Sequence, residues 1–129
     1  MTVLDTSAVM AVLEQEAEAD RVIAILERSS SPERPVHLAF VTLMEVEYKL
    51  LRRFGREKAH SALSLVEAWP VRVVESNLQW RRIAAAIKAV GGLSLADAWV
   101  AALAVLLDTE LVHKDAEFDR VAGLRSLHL

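Results

Sequence analysis

The sequence predicts an α/β domain: a mainly parallel sheet of four or five strands with helices on both faces, in three layers. Three observations lead there. Short strand-like runs alternate with longer helical segments along the whole chain. The strand-like runs are apolar nearly throughout, as strands covered on both faces must be. The 129 residues suffice for one buried core and no more, so we expect a single domain over residues 1–129.

Val3 and Leu4 form a short apolar entry into Asp5, and Thr6-Ser7 leads into a helix over Ala8 to Leu13. A second helix is expected over Ala17 to Glu27, with Val22, Ile25 and Leu26 on one face, and Ser29-Ser30-Ser31-Pro32 breaks it. Val36 to Val41 reads as a buried strand. Thr42 then starts a helix that runs to about Phe54, where Gly55 ends it, and another helix spans Arg56 to Ala68. After Pro70, Val71 to Val74 makes the third strand. The helix from about Asn77 to Val90 stops at Gly91-Gly92, a C-terminal signal. Ser94 opens an apolar helix over Leu95 to Leu107, Glu110 to His113 is the fourth strand, and Asp115 to Val121 gives a last helical turn or two. No internal repeat or linker interrupts this order.

Composition excludes several function classes. The absence of cysteine removes disulfides, thiolate nucleophiles and Cys-ligated metals together. His37, His60, His113 and His128 lack zinc-ligand spacing. The four glycines form neither a dinucleotide fingerprint nor a Walker loop, and no Gly-x-Ser-x-Gly elbow occurs. No apolar run reaches the roughly 18–20 residues that span a bilayer. Met1 to Asp5 carries no basic side chain and meets an acid at once, unlike a signal peptide, so a cytoplasmic chain without membrane contact is expected. A net charge of −3 disfavours nucleic acid as a partner. Committing four acids to metal would move the rest of the chain from −3 to +1.

Asp5, Glu45, Asp97 and Asp115 each lie at the start of an element that could reach one rim of the sheet. Ligands of open parallel sheets bind outside the carboxyl ends of the strands. Each acid also has a structural explanation. Thr42 with Glu45, and Ser94 with Asp97, fit capping boxes, and Asp5 and Asp115 fit turn or cap residues. Yet Glu45 and Asp97 are embedded in apolar helical runs, where a charge needs a partner or a metal. Carboxylates are hard oxygen donors suited to Mg²⁺ or Mn²⁺, and such ions can activate water against a phosphodiester. Asp119, four residues beyond Asp115, is a possible further acid if that segment is helical. Asp108, Glu110 and Glu117 read as surface residues.

Val3-Leu4-Asp5-Thr6-Ser7-Ala8 resembles the opening of PIN domains, especially the VapC-type toxins of toxin–antitoxin pairs. The resemblance continues through Thr42-Leu43-Met44-Glu45-Val46, Leu93-Ser94-Leu95-Ala96-Asp97-Ala98 and His113-Lys114-Asp115 with Phe118, in family order across essentially the whole chain. It implies a Mg²⁺- or Mn²⁺-dependent endoribonuclease that hydrolyses RNA with metal-activated water. The acidic site would comprise Asp5, Glu45, Asp97 and Asp115, supported by the hydroxyls of Thr6, Ser7 and Ser94. It also implies a homodimer neutralised by a cognate antitoxin. His113 departs from the pattern, since Thr or Ser often stands two positions before the last acid. A histidine at a strand end is expected to be exposed, with substrate phosphate as its other possible contact. Arg52, Arg53, Arg56 and Lys58, and separately Arg81, Arg82 and Lys88, form basic clusters that either guide RNA or make solvated faces. Two other functions remain open: a PIN-like binding or assembly module that does not turn over substrate, and phosphotransfer through Asp5, which lacks a matching Asp-x-Asp arrangement.

Overall fold

The computed structural model describes all 129 residues. Five strands form one parallel sheet in the order β3-β2-β1-β4-β5. They are β1 (Thr2–Leu4), β2 (Val36–Ala39), β3 (Val71–Val74), β4 (Glu110–His113) and β5 (Arg125–His128). Helices α1 (Thr6–Leu13) and α2 (Ala19–Arg28) follow β1, and α3 (Phe40–Phe54) and α4 (Arg56–Glu67) follow β2. Helices α5 (Leu78–Val90) and α6 (Leu95–Leu106) follow β3, and a 3-10 turn over Ala116–Arg120 separates β4 from β5.

The three layers follow from the two-residue period of the strands. Val3 and Leu111 point into one core with Trp80, Ala84, Leu103 and Phe118. Their neighbours Leu4 and Val112 point into the other, with Val9, Val22, Val46 and Val66. Helices α5 and α6 therefore cover one face and α1 to α4 the other. In the α5–α6 layer the Trp80 indole donates to the Trp99 carbonyl at 2.8 Å, and Phe40, Trp80 and Trp99 pack edge to face. No helix is long and apolar enough to cross a membrane.

Several boundaries differ from expectation. The chain turns helical at Phe40 rather than Thr42, and Ala39 occupies the cap position. The Thr42–Glu45 capping box is therefore not formed: Thr42 is fully buried inside the helix. Asp5 caps α1 directly, so that helix starts at Thr6 rather than Ala8. The fifth strand, Arg125–His128, was not anticipated. Its Arg-Ser-Leu-His sequence has no apolar run, because it lies at the sheet edge and is buried on neither face as a central strand is. Gly55 joins α3 to α4 with φ 85° and ψ 178°, a region that only glycine enters freely.

Strand order reverses at β1. Strands β2 and β3 lie on one side of it and β4 and β5 on the other. The crevice outside the carboxyl ends of β1 and β4 is thus the topological switch point, where such sheets bind ligands.

Candidate metal centre

Asp5 is the first residue after β1 and is only 4% exposed. Its Oδ2 accepts from the Ser7 amide at 3.0 Å and the Ser7 hydroxyl at 2.6 Å. Its Oδ1 is buried with no hydrogen-bond partner. A carboxylate oxygen in that state carries a desolvation cost that a cation would remove. Burial raises the Asp5 carboxyl above the usual range, the two Ser7 bonds work against that rise, and Glu45 adds repulsion.

Glu45 sits in the second turn of α3, and its Oε1 accepts from the Thr6 hydroxyl at 2.6 Å. Asp97 lies in the first turn of α6, where the Ser94 hydroxyl accepts from its amide at 3.1 Å. That cap occupies the Asp97 amide and not its carboxylate. The carboxyl is pushed up to about 6, first by burial and then by the Asp5 charge, with Asp115 and Glu117 adding to the effect and Ser94 opposing it.

Asp115 follows β4 and caps the 3-10 turn by accepting from the Glu117 amide at 2.9 Å. This folds Glu117 back beside it. Oxygen atoms of Asp97, Asp115 and Glu117 lie within 4.8 Å of one another. Asp5 and Glu45 stand next to this trio rather than in it. The four expected acids are therefore brought to one rim, joined by Glu117, which is exposed as its sequence suggests yet belongs to the cluster.

Asp119 does not join them. Its carboxylate lies 3.8 Å from His113 Nε2 and 3.9 Å from His128 Nδ1. Asp115 is extended and precedes a 3-10 turn, so no α-helix places it and Asp119 on one face at i, i+4 spacing. His113 is not exposed as expected: it is fully buried, packed against the tilted rings of Phe118 and His128. Its Nδ1 accepts the Asp115 amide at 3.2 Å, which leaves the proton of the neutral ring on Nε2. Burial lowers its pKa, with His128 acting the same way. The ring thus holds the Asp115 backbone, a task a hydroxyl at this position could also perform.

Thr6 and Ser7 each orient one acid. Ser7 also links the two sides of the switch point, because its hydroxyl accepts from the Lys114 amide at 3.0 Å. The donor set is all oxygen, crowded with negative charge and includes one orphaned buried oxygen. It fits a hard divalent cation.

No curated protein matches the sequence. Solved structures of similar fold include VapBC2 from Rickettsia felis bound to a promoter DNA fragment, with TM-score 0.82 and 13% identity over 99% of this chain and 98% of that one. VapBC-1 from nontypeable Haemophilus influenzae aligns with TM-score 0.76 and 23% identity, covering 98% and 96%. VapC20 from Mycobacterium tuberculosis, described as a Sarcin-Ricin loop cleaving toxin, aligns with TM-score 0.75 and 22% identity over the full length of both chains. At these identities the likeness concerns the fold. The family model of the PIN domain matches residues 2–124, nearly the whole chain, and this chain belongs to the PIN-domain family.

Proposed function

We propose that this chain is a divalent-metal-dependent endoribonuclease and the toxin of a toxin–antitoxin pair, formed as a single domain over residues 1–129. The observation that carries the reading is the cluster of Asp97, Asp115 and Glu117 oxygens with Asp5, whose buried oxygen has no partner, and Glu45 beside it. Mg²⁺ or Mn²⁺ bound there would supply an activated water and neutralise charge at an RNA phosphodiester. Asp5, Asp97 and Asp115 are the proposed ligands, joined by Glu117, with Glu45 as a further ligand or an acceptor for a bound water. Thr6, Ser7 and His113 keep the acids in place, as groups behind metal ligands do. Ser94 fixes the start of α6 and so the direction of Asp97. Asp119, placed beside the histidines, is left out of the ligand set.

The likeness to VapBC complexes supports a cognate antitoxin as partner. Met44, Tyr48 and Leu51 form an exposed apolar stripe on α3 that begins beside Glu45. A partner helix packed there could carry a basic side chain to the acids. Homodimer formation and a cytoplasmic site of action accompany the same reading.

The test is cleavage of transfer, ribosomal and messenger RNA by the purified chain, first with Mg²⁺ and then with chelator. Cleavage should require the metal, and Asp5→Asn should abolish it with the circular dichroism spectrum unchanged. Full activity in Asp5→Asn, or in chelator, would sink the proposal.

A further inference from the structure

Helices α1 and α3 run side by side in fixed register from the carboxyl ends of β1 and β2. Thr6 meets Glu45 at one end and Glu14 meets Arg53 at the other, both pairs 39 residues apart in sequence. Glu45, Lys49 and Arg53 are spaced i, i+4, i+8 and so share one face of α3. At about 1.5 Å per residue, Lys49 and Arg53 stand roughly 6 and 12 Å along the helix from Glu45. An open cleft follows this row, with Ser7 and Met10 on the α1 side and Lys114 on the β4 side. Ser7 belongs to both the cleft and the acid site, so the two are continuous.

The cations of this cleft differ in how far they are committed. Arg53 pairs with Glu14 while its side chain is 56% exposed. Lys114 pairs with Glu16 and, at 3.0 Å, with Glu18. Lys49 makes no ion pair. The carboxylates of these pairs are partly covered, with side-chain exposures of 20% for Glu14, 33% for Glu16 and 28% for Glu18. Ion pairs that reach solvent contribute about 0–1 kcal/mol each, so a ligand of higher charge density can compete with them. Of the basic residues grouped by sequence around the end of α3, Arg53 and Lys58 both lie over the Phe54 ring, at 5.3 and 5.6 Å, and only Arg53 also lines this cleft.

We propose that this cleft is the subsite for the RNA backbone flanking the scissile bond. Lys49, Arg53 and Lys114 bind consecutive phosphates, while Glu14 and Glu16 hold the Arg53 and Lys114 side chains in the absence of RNA. The proposal rests on the nuclease reading for the identity of its ligand. A single strand is the form that fits, because a phosphate row starting at the acids must follow a cleft between two helices. The acids then oppose binding, and cations and acids should give effects of opposite sign.

The test is anisotropy of a labelled 12-nucleotide single-stranded RNA, titrated across a salt series in the Asp97→Asn background so that the probe stays intact. Lys49→Gln and Arg53→Gln should each weaken binding several-fold and reduce the log–log salt slope by about 1. Glu14→Gln should tighten it. Loss of one exposed ion pair leaves folding intact, and thermal melts verify this. Unchanged Kd and slope in both cation variants would overturn the proposal. So would an acidic peptide that competes as well as RNA of equal charge, since the cleft would then be a protein-docking surface. Cleft-dependent RNA binding by a chain that never cleaves would uphold the subsite and remove the nuclease reading. Cleavage indifferent to Lys49 and Arg53 would do the reverse.

Discussion

At Asp97 the requirements of folding and of the site conflict. Its carboxyl ionises only near pH 6 in the folded chain, against an ordinary 3.8. Between these values the folded chain binds more protons than the unfolded one, so this contribution to stability is present at low pH and lost as pH rises through the window. We expect Asp97→Asn, which cannot ionise, to melt progressively higher than the metal-free parent as pH goes from about 4 to about 6.5. A gap in Tm that stays flat with pH would refute this account. Ser7 serves two groups with one hydroxyl, donating to Asp5 and accepting from the Lys114 amide. Ser7→Ala should therefore cost about 1–3 kcal/mol in chemical denaturation and weaken Mn²⁺ binding by calorimetry about 10-fold or more. Thr6 and Ser7 could be named from sequence because they adjoin Asp5. The bond of His113 to Asp115 could not, because a histidine at a strand end reads the same whether its ring is buried or solvated.

At the level of elements, the helix starts carry the site. Asp5, Ser94 and Asp115 each cap the element that follows them, so the residues that begin a helix also place an acid on the rim. The caps at Asp5 and Ser94 were legible because their bonds are local. Thr42 misled because Thr-x-x-Glu fits a capping box, while the apolar Phe40 and Val41 could extend either the strand or the helix. Burial of Val41 against the α6 layer decides for the helix. Gly55 lets α4 fold back from the end of α3, and a Cβ there would meet nothing within 4 Å. Any cost of Gly55→Ala is thus backbone strain alone. We expect about 1–3 kcal/mol of destabilisation, read as a lower urea midpoint with metal affinity unchanged. A neutral effect would show that the joint relaxes.

Over the whole molecule, five carboxylates gathered at the switch point of the sheet are a source of instability that a bound cation would remove. A ligand that binds only the folded state adds about 2.7 kcal/mol at 100 times its Kd. Saturating Mn²⁺ should therefore raise Tm by several degrees at pH 7.5 and by much less at pH 5, where Asp97 is protonated. The rise should vanish in Asp97→Asn. An equal rise in the parent and the variant would place the binding elsewhere. The two-sided core explains why the site sits at a rim: both faces of the sheet are covered by helices, and the strand ends at the switch point stay accessible.

Local pattern by itself determined the parallel α/β architecture, and it singled out Asp5, Glu45, Asp97 and Asp115, with the hydroxyls beside them, as candidates. Strand alternation, cap chemistry and apolar runs act over a few residues and can be read along the chain. Tertiary structure alone decided the last corner. Glu117 joins Asp97 and Asp115 because an extended Asp115 caps a 3-10 turn. Asp119 is directed to His113 and His128 by the same turn, and β5 pairs at an edge that needs no apolar signal. These outcomes depend on how a short non-α turn is oriented against a buried histidine, and no periodicity in the sequence encodes that orientation.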